Sequence, residues 1–595
     1  MKKVLQEILV DEDYDDLKNY NQMFTRIRMG WKDDGSADTK YDFSTYFNIF
    51  SLKKWRKYTN ITNLFLELEA EGDFTLEVIG DCIDEKRELE RKILSKKEYR
   101  LKKKEKIIEE IAFDDEADVI AFRIITNSDF KLYKASYFTD IDEKKIRDVF
   151  LTLVTTTFKK EEFIEKNTKI LNEGLFHNDE FRQKINWFII DNGNTLDKST
   201  LETEDIKVFG NKNTGGAGGF SKGIIEANNQ DVKPTHILLM DDDVIFFAEA
   251  FKRTYRMLEV IKDKYKEHFI CGAMLEMEHR NIQHEDIGRT LKNGEHGPCK
   301  PYYDLNNYKC VVENEKIISH SPNQYCGWWY CCMPTTIARN DNLPMPAFIR
   351  GDDIEYSFRN HARFITLNGI CIWHQGFAGK FTAAMEFYQV HRNDLILHSI
   401  HEHVQKTNII KRISELFWEE MYKFNYKGAN LLLDSIEDYL KGPEYIMNLD
   451  GEQKMKEKKE KDNKLVDLTD DVKELYDEDT LFIDKPYSDM RKRIYDYTYN
   501  GQLLSDNMWR GVGVIPYGWG YYPGKQMLVS EIYAIDPTRR QYVIYKKSHR
   551  EFVKLKKRYE LLLKTYNKRK DEVSKAYRKA AKDWKTFDFW NEYLN

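Results

Sequence analysis

The stretch HILLMDDD, residues 236–243, decides how the rest of the chain is interpreted. Its apolar part has the length and composition of a strand buried on both faces, which is typical of parallel sheets. Side chains alternate along a strand, so Asp241 and Asp243 point to one side and Asp242 to the other. At the carboxyl edge of a parallel sheet, two such carboxylates suit Mg²⁺ or Mn²⁺, which a nucleotide diphosphate can complete. An acidic loop that opens the next helix is the alternative interpretation.

The composition of the chain excludes several classes of protein. Its 595 residues are 41% hydrophobic and 14% aromatic, enough for several folded cores and too many for wholesale disorder. With 94 basic and 100 acidic residues, it has no signature of a nucleic-acid binder. It contains no 18-residue apolar run and no signal-peptide core, so we expect a cytoplasmic protein. Its eight cysteines include no CxxC pair and predict reduced thiols rather than disulfides or a zinc site.

Strands and helices alternate after residue 149, which predicts a parallel sheet with right-handed crossovers. The predicted strands are residues 149–154, 185–190, 206–209 and 236–240, and a helix is predicted over 161–172. The second strand ends at Asp191, which we therefore expect at the same sheet edge as Asp241. A carboxylate there can bind a base or a ribose hydroxyl, or it can form an Asx turn within its own loop.

A glycine-rich run, residues 211–223, follows the third strand. Four glycines in five positions predict a loop whose backbone approaches a ligand, before a helix whose N-terminus favours an anion. The run matches neither a Walker A loop nor GxGxxG, which argues against an ATPase and against a dinucleotide-binding enzyme. A flexible surface loop is the alternative.

A second acidic pair, Asp352 and Asp353, follows a loop rich in proline and opens a predicted helix. These side chains can cap the helix, or one of them can act as a general base above the metal site. His374 ends a further predicted strand, where it is either structural or completes an Asp/Asp/His metal set. By contrast, the spacing of His279, His284 and His296 is no ligand pattern and predicts loop histidines.

Trp328 and Trp329 are adjacent and cannot both face one side of a strand. At least one is therefore expected to meet a cavity or solvent, where its ring is a platform for a sugar. Core packing is the alternative for both.

The regions before and after this central part have different patterns. Up to residue 145 the chain predicts a β-sandwich or barrel, with hairpins over 64–80 and 119–138. A charged segment, 84–110, is expected as a helix or a solvated excursion. After residue 400 the chain is mainly helical, with an aromatic loop over 507–526. A basic amphipathic helix from Lys546 suits either a membrane surface or a helix bundle.

In this order, the motifs resemble those of the inverting GT-A glycosyltransferases of family 2, and more closely the bacterial galactofuranosyltransferases that extend galactan. The resemblance is strongest over residues 147–400 and otherwise architectural. The motifs that carry it are Thr157–Lys160, Asp191-Asn192-Gly193, the run from Asn213 to Ser221, Met240–Asp243, Trp328-Trp329, Asp352-Asp353, Ile372-Trp373-His374 and His391-Arg392-Asn393. It implies three regions: residues 1–145 a β domain, 146–400 a GT-A catalytic domain, and 401–595 a helical region for oligomerisation and membrane contact.

The resemblance also implies residue roles. It makes Asp353 the base, and it places Asp352, Trp328 and Trp329 on the acceptor or donor sugar. The nucleotide-binding residues that it implies are Thr157, Lys160, Asp191, Asn213 and Asp242. The implied ligands of Mn²⁺ or Mg²⁺ are Asp241, Asp243 and His374. Where the family usually has arginine after the first strand this chain has Lys159-Lys160, a point charge in place of a bidentate fork.

Three functions are consistent with these residues. The first is transfer of galactofuranose from UDP-galactofuranose to an oligosaccharide or lipid-linked glycan. The resemblance implies that such an enzyme is a homo-oligomer, with a tetramer as one option. It would act in the cytoplasm or on the inner face of the plasma membrane. The second is a family 2 transferase that uses a pyranose donor. The third is a catalytically silent glycan-binding protein, which would need neither the metal set nor Asp353. A glycosidase is disfavoured, because it needs two carboxylates that flank the bond and no metal or nucleotide loop.

Overall fold

A computed structural model of the chain covers residues 1–10, 22–31, 37–404, 406–505 and 511–595 in describable detail. It has a β-rich N-terminal region, a central α/β region and a mainly helical C-terminal region, and so confirms the predicted fold class.

The N-terminal region is a seven-stranded sheet in which one long strand pairs with three others. The strand order is β1-β7-β4-β6-β3-β2, and β5 pairs with the other edge of β4. The elements are β1 (Lys2–Glu7), β2 (Arg26–Trp31), β3 (Ala37–Asp42), α1 (Leu52–Tyr58), β4 (Leu64–Ile83), β5 (Leu89–Ile111), β6 (Val119–Thr126) and β7 (Phe130–Asp140).

The two predicted hairpins are wrong. Residues 64–80 form one strand, β4, which carries an irregularity between Ala70 and Gly72. Gly72 has a φ of +116°, and a Cβ there would lie 2.4 Å from the carbonyl oxygen of Asp129, so glycine permits this bulge. Strands β7 and β6 do not pair with each other. Strand β7 pairs with β4 up to the bulge, and β6 pairs with β4 after it.

The charged segment 84–110 is also not a helix, because most of it belongs to β5. Its lysines lie beside glutamates of β4, with Lys104 Nζ 2.9 Å from Glu69, so the charges complement a neighbouring strand. The strand also bends back on itself: Lys97 and Tyr99 both contact Glu109. The β4–β5 ribbon therefore folds into two facing layers, which is what the predicted sandwich requires.

The central region contains a seven-stranded mixed sheet in the order β10-β9-β8-β11-β20-β13-β21. Its first four strands are the predicted ones and pair in parallel, whereas β20 is antiparallel to both of its neighbours. A second sheet has the order β12-β22-β14-β15-β18, and a third has the order β17-β16-β19. The strands are β8 (Leu151–Thr157), β9 (Ile185–Asp191), β10 (Ile206–Gly210), β11 (His236–Asp241), β12 (Val244–Ile245), β13 (Phe269–Cys271), β14 (Ala273–Glu276), β15 (Ile282–Glu285), β16 (Gly288–Thr290), β17 (His296–Pro298), β18 (Tyr303–Asp304), β19 (Gln324–Tyr325), β20 (Cys331–Pro334), β21 (Phe364–Ile365) and β22 (Cys371–His374). The helices are α2 (Glu161–Leu171), α3 (Lys198–Leu201), α4 (Gly215–Asn229), α5 (Ala248–Val260), α6 (Tyr308–Asn314), α7 (Asp352–Arg359) and α8 (His391–Ile400).

The glycine-rich run is not a loop, because its glycines form the first turns of α4. A Cβ at Gly219 would lie 2.2 Å from Cγ2 of Thr156, and one at Gly223 would lie 2.1 Å from Cγ1 of Val154. These glycines therefore let α4 pack closely against β8. Gly215, with a φ of +72°, has no room for a Cβ beside the carbonyl of Phe348.

The C-terminal region is mainly helical, as predicted, but it also contains a four-stranded sheet of order β23-β26-β25-β24 that the sequence did not predict. Its elements are α9 (Ile409–Tyr422), α10 (Tyr426–Leu440), α11 (Pro443–Met447), α12 (Gly451–Lys461), β23 (Val466–Asp467), α13 (Asp470–Lys473), α14 (Asp489–Thr498), β24 (Val512–Pro516), α15 (Pro523–Gln526), β25 (Glu531–Asp536), β26 (Gln541–Lys546), α16 (His549–Trp584) and α17 (Phe587–Leu594).

The basic amphipathic helix is α16, and its apolar face packs inside the protein. Phe552, Leu555 and Tyr577 are buried, and the Tyr577 hydroxyl donates to the carbonyl of Tyr439 on α10 at 3.0 Å. This matches the helix-bundle interpretation. In the part of the chain that the structure describes, no helix has both the length and the apolar composition needed to cross a bilayer.

Candidate active site

Parallel pairing brings the ends of β8, β9 and β11 to one sheet edge. Asp241 lies opposite Thr156 on β8, and Thr157 lies opposite Asp191 on β9. The short strand β12 then pairs antiparallel with β22, which sets Val244 opposite His374. The sequence-predicted residues of the first acidic cluster and His374 are thus brought together.

Asp243 is surrounded by cationic or polar nitrogen atoms. Its Oδ1 lies 3.2 Å from Nε2 of His374, and its Oδ2 lies 2.8 Å from Nζ of Lys380 and 3.6 Å from Nζ of Lys160. Burial alone would raise the pKa of Asp243, but the hydrogen bond from His374 and the charges of His374 and Lys380 outweigh it. The pKa of Asp243 therefore lies well below its usual range, and the side chain is a carboxylate.

The other two aspartates of the cluster are different. Burial raises the pKa of Asp241, although the charge of His374 opposes the shift. Asp242 contacts the end of β8: its Oδ2 accepts from the backbone N–H of Phe158 at 3.2 Å. Burial, and then the charge of Asp243, raise the pKa of Asp242 to about 6.

Lys380 is a residue that the sequence did not single out. It ends a 3-10 turn, Phe377–Lys380, and its Nζ also lies 3.1 Å from Nε2 of His374. In the described ranges, no three His, Cys, Asp or Glu side chains are arranged as a ready metal cage. The ammonium of Lys380 is instead the cation in contact with Asp243 and His374.

The second acidic pair begins α7, directly after Gly351 with its φ of +86°. Asp353 Oδ1 accepts from the N–H of Ile354 at 2.8 Å. Burial raises the pKa of Asp353 to about 6, while this hydrogen bond and the charge of His296 oppose the shift. Burial, and then the charge of Asp353, raise the pKa of Asp352 to about 8. The charge of Asp241 also raises the pKa of both carboxyls, so the two acidic clusters lie near each other.

Asp353 lines a cavity of about 550 Å³, a volume in the range of small-molecule binding sites. Asp352, only 8% exposed, lies behind it against the first turn of α4. Several polar residues to which the sequence analysis gave no role in the site also line this cavity: Glu285, His296, Arg350, His391, Asn393 and Arg412.

Two of the three histidines interpreted as loop residues, His284 and His296, lie on strands and line this cavity. His296 Nε2 is 3.0 Å from Oδ1 of Asp394 on α8. That contact joins residues 98 positions apart, so no local spacing could have revealed it.

The two tryptophans have different surroundings. Trp329 lines the cavity, and its Nε1 donates to the carbonyl of Gly272 at 3.0 Å. Trp328 packs edge-on against Phe220 and Tyr356 in the core. The expectation that one of the pair meets a cavity is confirmed by Trp329, while Trp328 is a packing residue in this structure.

The residues expected to bind the nucleotide surround the same sheet edge. Asp191 accepts from the backbone N–H groups of Gly193, Thr195 and Leu196, at 2.9, 2.7 and 2.9 Å, and so has the Asx-turn arrangement. Its predicted contact with the nucleotide stays a prediction. Asn213 accepts from the N–H of Gly215 and donates to Glu452 on α12 at 2.9 Å, so the C-terminal region reaches this edge.

The chain is similar to known protein families and to known proteins. A model described as "Glycosyltransferase like family 2" matches residues 197–370, and one described as "Galactofuranosyltransferase 2 N-terminal" matches residues 16–140. The galactofuranosyltransferase GlfT2 of Mycolicibacterium smegmatis is 23% identical over 434 residues, or 69% of this chain and 66% of that relative. The GlfT2 of Mycobacterium tuberculosis is 27% identical over 259 residues, which are 41% of this chain and 40% of that relative. The chain thus matches less than two thirds of the length of these relatives.

Among solved structures, the mannosyltransferase PcManGT from Pyrobaculum calidifontis, in complex with GDP-Man and Mn²⁺, has a TM-score of 0.28 and 10% identity. The match covers 50% of this chain and 77% of that one. A likeness this low supports no inference about the present chain.

Proposed function

The chain belongs with the family 2 glycosyltransferases and has an N-terminal domain of the galactofuranosyltransferase type, and on that premise we propose that it transfers galactofuranose from UDP-galactofuranose to a growing cell-surface glycan. One observation carries the proposal. Asp243 is a carboxylate beside His374, and the charge of its neighbour Asp241 acts on Asp353, a partly exposed acid that lines a cavity large enough for sugars.

The residues at the sheet edge fit a divalent cation. Asp241 and Asp243 offer hard oxygen atoms, and Nδ1 of His374 is buried without a hydrogen-bond partner while Nε2 faces Asp243. These three side chains would hold Mn²⁺ or Mg²⁺ once Lys380 withdraws from Asp243. Such an ion stabilises the negative charge that grows on the departing diphosphate.

The lysines near Asp243 suit the donor's diphosphate. Lys160 and Lys380 both direct an ammonium group at this carboxylate, from two different elements. A diphosphate bound here meets these two positive charges, which stabilise it electrostatically. We propose that Thr157, Asp191 and Asn213 line the nucleotide end of the same edge, with Asp242 holding the backbone at Phe158.

Asp353 is the proposed general base. It takes the proton from the acceptor hydroxyl while the oxygen attacks the anomeric carbon on the face opposite the diphosphate, which inverts that carbon. A pKa of about 6 leaves the carboxyl ionised at neutral pH and close enough to neutrality to accept a proton. Trp329 forms part of the cavity wall against which the acceptor sugar would stack. The pKa of Asp352 is raised further, to about 8, so this carboxyl would remain largely protonated at neutral pH and orient the loop or the sugar.

The wider setting is also part of the proposal. We place the catalytic domain at residues 146–400, with the β domain before it and the helical region after it. The acceptor would be an oligosaccharide or a lipid-linked glycan, and the enzyme a homo-oligomer in the cytoplasm that touches the inner face of the plasma membrane.

A donor screen tests the proposal against its rivals. Purified full-length protein is given UDP-galactofuranose or UDP-galactopyranose, a short synthetic galactofuranoside acceptor and Mn²⁺, with and without EDTA. Transfer from the furanose donor that EDTA abolishes is the expected result. Transfer from the pyranose donor alone would favour the second function. Acceptor binding with neither transfer nor donor hydrolysis would favour a silent glycan-binding protein.

A further inference from the structure

The mouth of the cavity carries two exposed aromatic side chains that the proposed chemistry does not use. Trp519 is 43% exposed and Tyr302 is 58% exposed, and both line the cavity that Asp353 also lines. Exposed aromatic side chains scattered singly need no explanation, but two at the rim of one substrate cavity do. Deeper in the same cavity lies Trp329, which is only 8% exposed.

Trp519 is held in place by packing on its other side. Its ring meets Phe381 edge-on, with ring centroids 4.9 Å apart, and Phe381 is 3% exposed. Gly518, with a φ of +105°, precedes Trp519, and a Cβ there would lie 3.5 Å from the Phe381 ring. The Trp519 indole therefore packs against a buried ring while part of its surface stays open to solvent.

A C-terminal arginine anchors this arrangement to the catalytic domain. Arg539 donates to the carbonyl of Gly379 at 3.0 and 2.6 Å and to that of Phe381 at 2.9 Å. The same short segment carries Lys380. The C-terminal sheet thus positions Trp519 relative to the catalytic edge.

Tyr302 approaches the mouth from the central domain. Its ring meets His284 with centroids 5.2 Å apart, and His284 in turn meets Phe377 at 5.2 Å. The cavity lining also contains an ion pair, Arg412 Nη2 to Glu295 Oε1 at 2.6 Å, that can bond to hydroxyl groups. Aromatic rings and a polar pair in the lining of one cavity suit a sugar, which has both C–H faces and hydroxyls.

We propose that Trp519 and Tyr302 form a distal glycan subsite, which binds a sugar of the acceptor chain beyond the one that is glycosylated. The inference rests on the proposed transferase function and adds to it where the longer acceptor is held. A short acceptor that fills only the region near Asp353 does not reach the rim. A longer acceptor stacks on the rim, so the enzyme binds it more tightly.

The test uses full-length protein and synthetic galactofuranosides of increasing length. In Trp519→Ala and Tyr302→Ala, KM for the long acceptors should rise about five- to tenfold, which is the usual range for one aromatic contact. For the shortest acceptor, KM should stay within about twofold, and kcat should change little at any length. Trp519→Phe should recover most of the lost affinity. The matched control is Tyr497→Ala, since Tyr497 is 81% exposed and is not among the cavity-lining residues.

The outcomes separate this inference from the proposed function. Equal KM changes at every acceptor length, or none, would overturn the subsite. If the wild type transfers no galactofuranose, the proposed function fails, and calorimetric titration of the long glycan without donor still decides the subsite. Weaker glycan binding in Trp519→Ala than in Tyr497→Ala would then support it, and equal binding would overturn it. Melting curves of each variant exclude misfolding as the cause.

Discussion

Asp243 and Asp353 are carboxyls at the same end of the central domain, yet their surroundings shift their pKa values in opposite directions. Asp243 has His374, Lys380 and Lys160 within 3.6 Å, and its pKa is depressed. Asp353 is partly exposed where it lines a cavity, its Oδ1 accepts from the backbone N–H of Ile354, and its pKa is raised to about 6. The difference indicates a division of labour, in which a permanently charged group suits a cation and a group near neutrality suits proton transfer.

The largest expected effect comes from removing the base. Asp353→Asn should lower kcat for transfer by about 100- to 10,000-fold, because general-base catalysis contributes that much. The dissociation constant for UDP should change by less than about twofold, since the amide keeps the size of the side chain. Asp341→Asn, at an exposed carboxylate, is the control. A kcat within a few-fold of the wild type would remove Asp353 from the mechanism.

The next largest effect should come from removing the charge of Asp243. Asp243→Asn should weaken Mn²⁺ binding by at least about 100-fold, because it removes a ligand where even supporting residues are worth 10- to 100-fold. Titration of free Mn²⁺ by electron paramagnetic resonance measures this without turnover. Unchanged Mn²⁺ affinity would show that the cation binds elsewhere.

The raised pKa of Asp353 predicts the pH dependence. A base acts when it is deprotonated, so kcat/KM should rise with pH through about 6 and fall about tenfold for each unit below it. The charge of His296 lowers this pKa, so in His296→Gln the ascending limb should move to higher pH. A profile that is flat between pH 5 and 7 would contradict the assignment.

Lys380 allows a test of the charged side of the comparison. Its ammonium lies 2.8 Å from Asp243, where it competes with a divalent cation. Lys380→Met should therefore tighten Mn²⁺ binding about three- to tenfold, and should weaken UDP binding through the loss of a positive charge. Isothermal titration of each ligand measures both effects, and Lys473→Met, at an exposed pair, serves as the control. Weaker binding of both ligands would show that Lys380 supports the carboxylate cluster rather than competing for it.

The smallest effect concerns stability. Because the pKa of Asp352 is raised to about 8 in the folded chain, the folded state holds a proton that the unfolded state releases above pH 4. Stability is therefore lost as pH rises from 4 to 8. The free energy of unfolding of Asp352→Asn should exceed that of the wild type by at least about 1 kcal/mol at pH 8, and by less at pH 4. Chemical denaturation at the two pH values measures it, and equal differences at both would contradict the shift.

Much of the candidate site was predictable from short motifs. The stretch HILLMDDD forms a strand that ends at the acidic cluster, as expected, and His374 ends another strand. The aromatic pair at 328 and 329 could be expected to split between core and cavity, but only the structure shows that Trp329 lines the cavity. The turn at Gly72 and the helix or solvated excursion after residue 84 were expected wrongly, because the same local signals suit those structures and long paired strands alike when the neighbouring strand is unknown.

By itself, the sequence determined that parallel strands end in carboxylates at one sheet edge. Alternating and apolar runs specify strands locally, and parallel connections then place their ends together. Only the tertiary structure decided which cations reach Asp243, which histidines enter the cavity and that Trp519 stands at its mouth. Those contacts join residues far apart in the sequence, such as Lys380 with Asp243 and Trp519 with Phe381, which are more than a hundred positions apart, and no local pattern encodes them. Packing of the three regions against one another brings these side chains together.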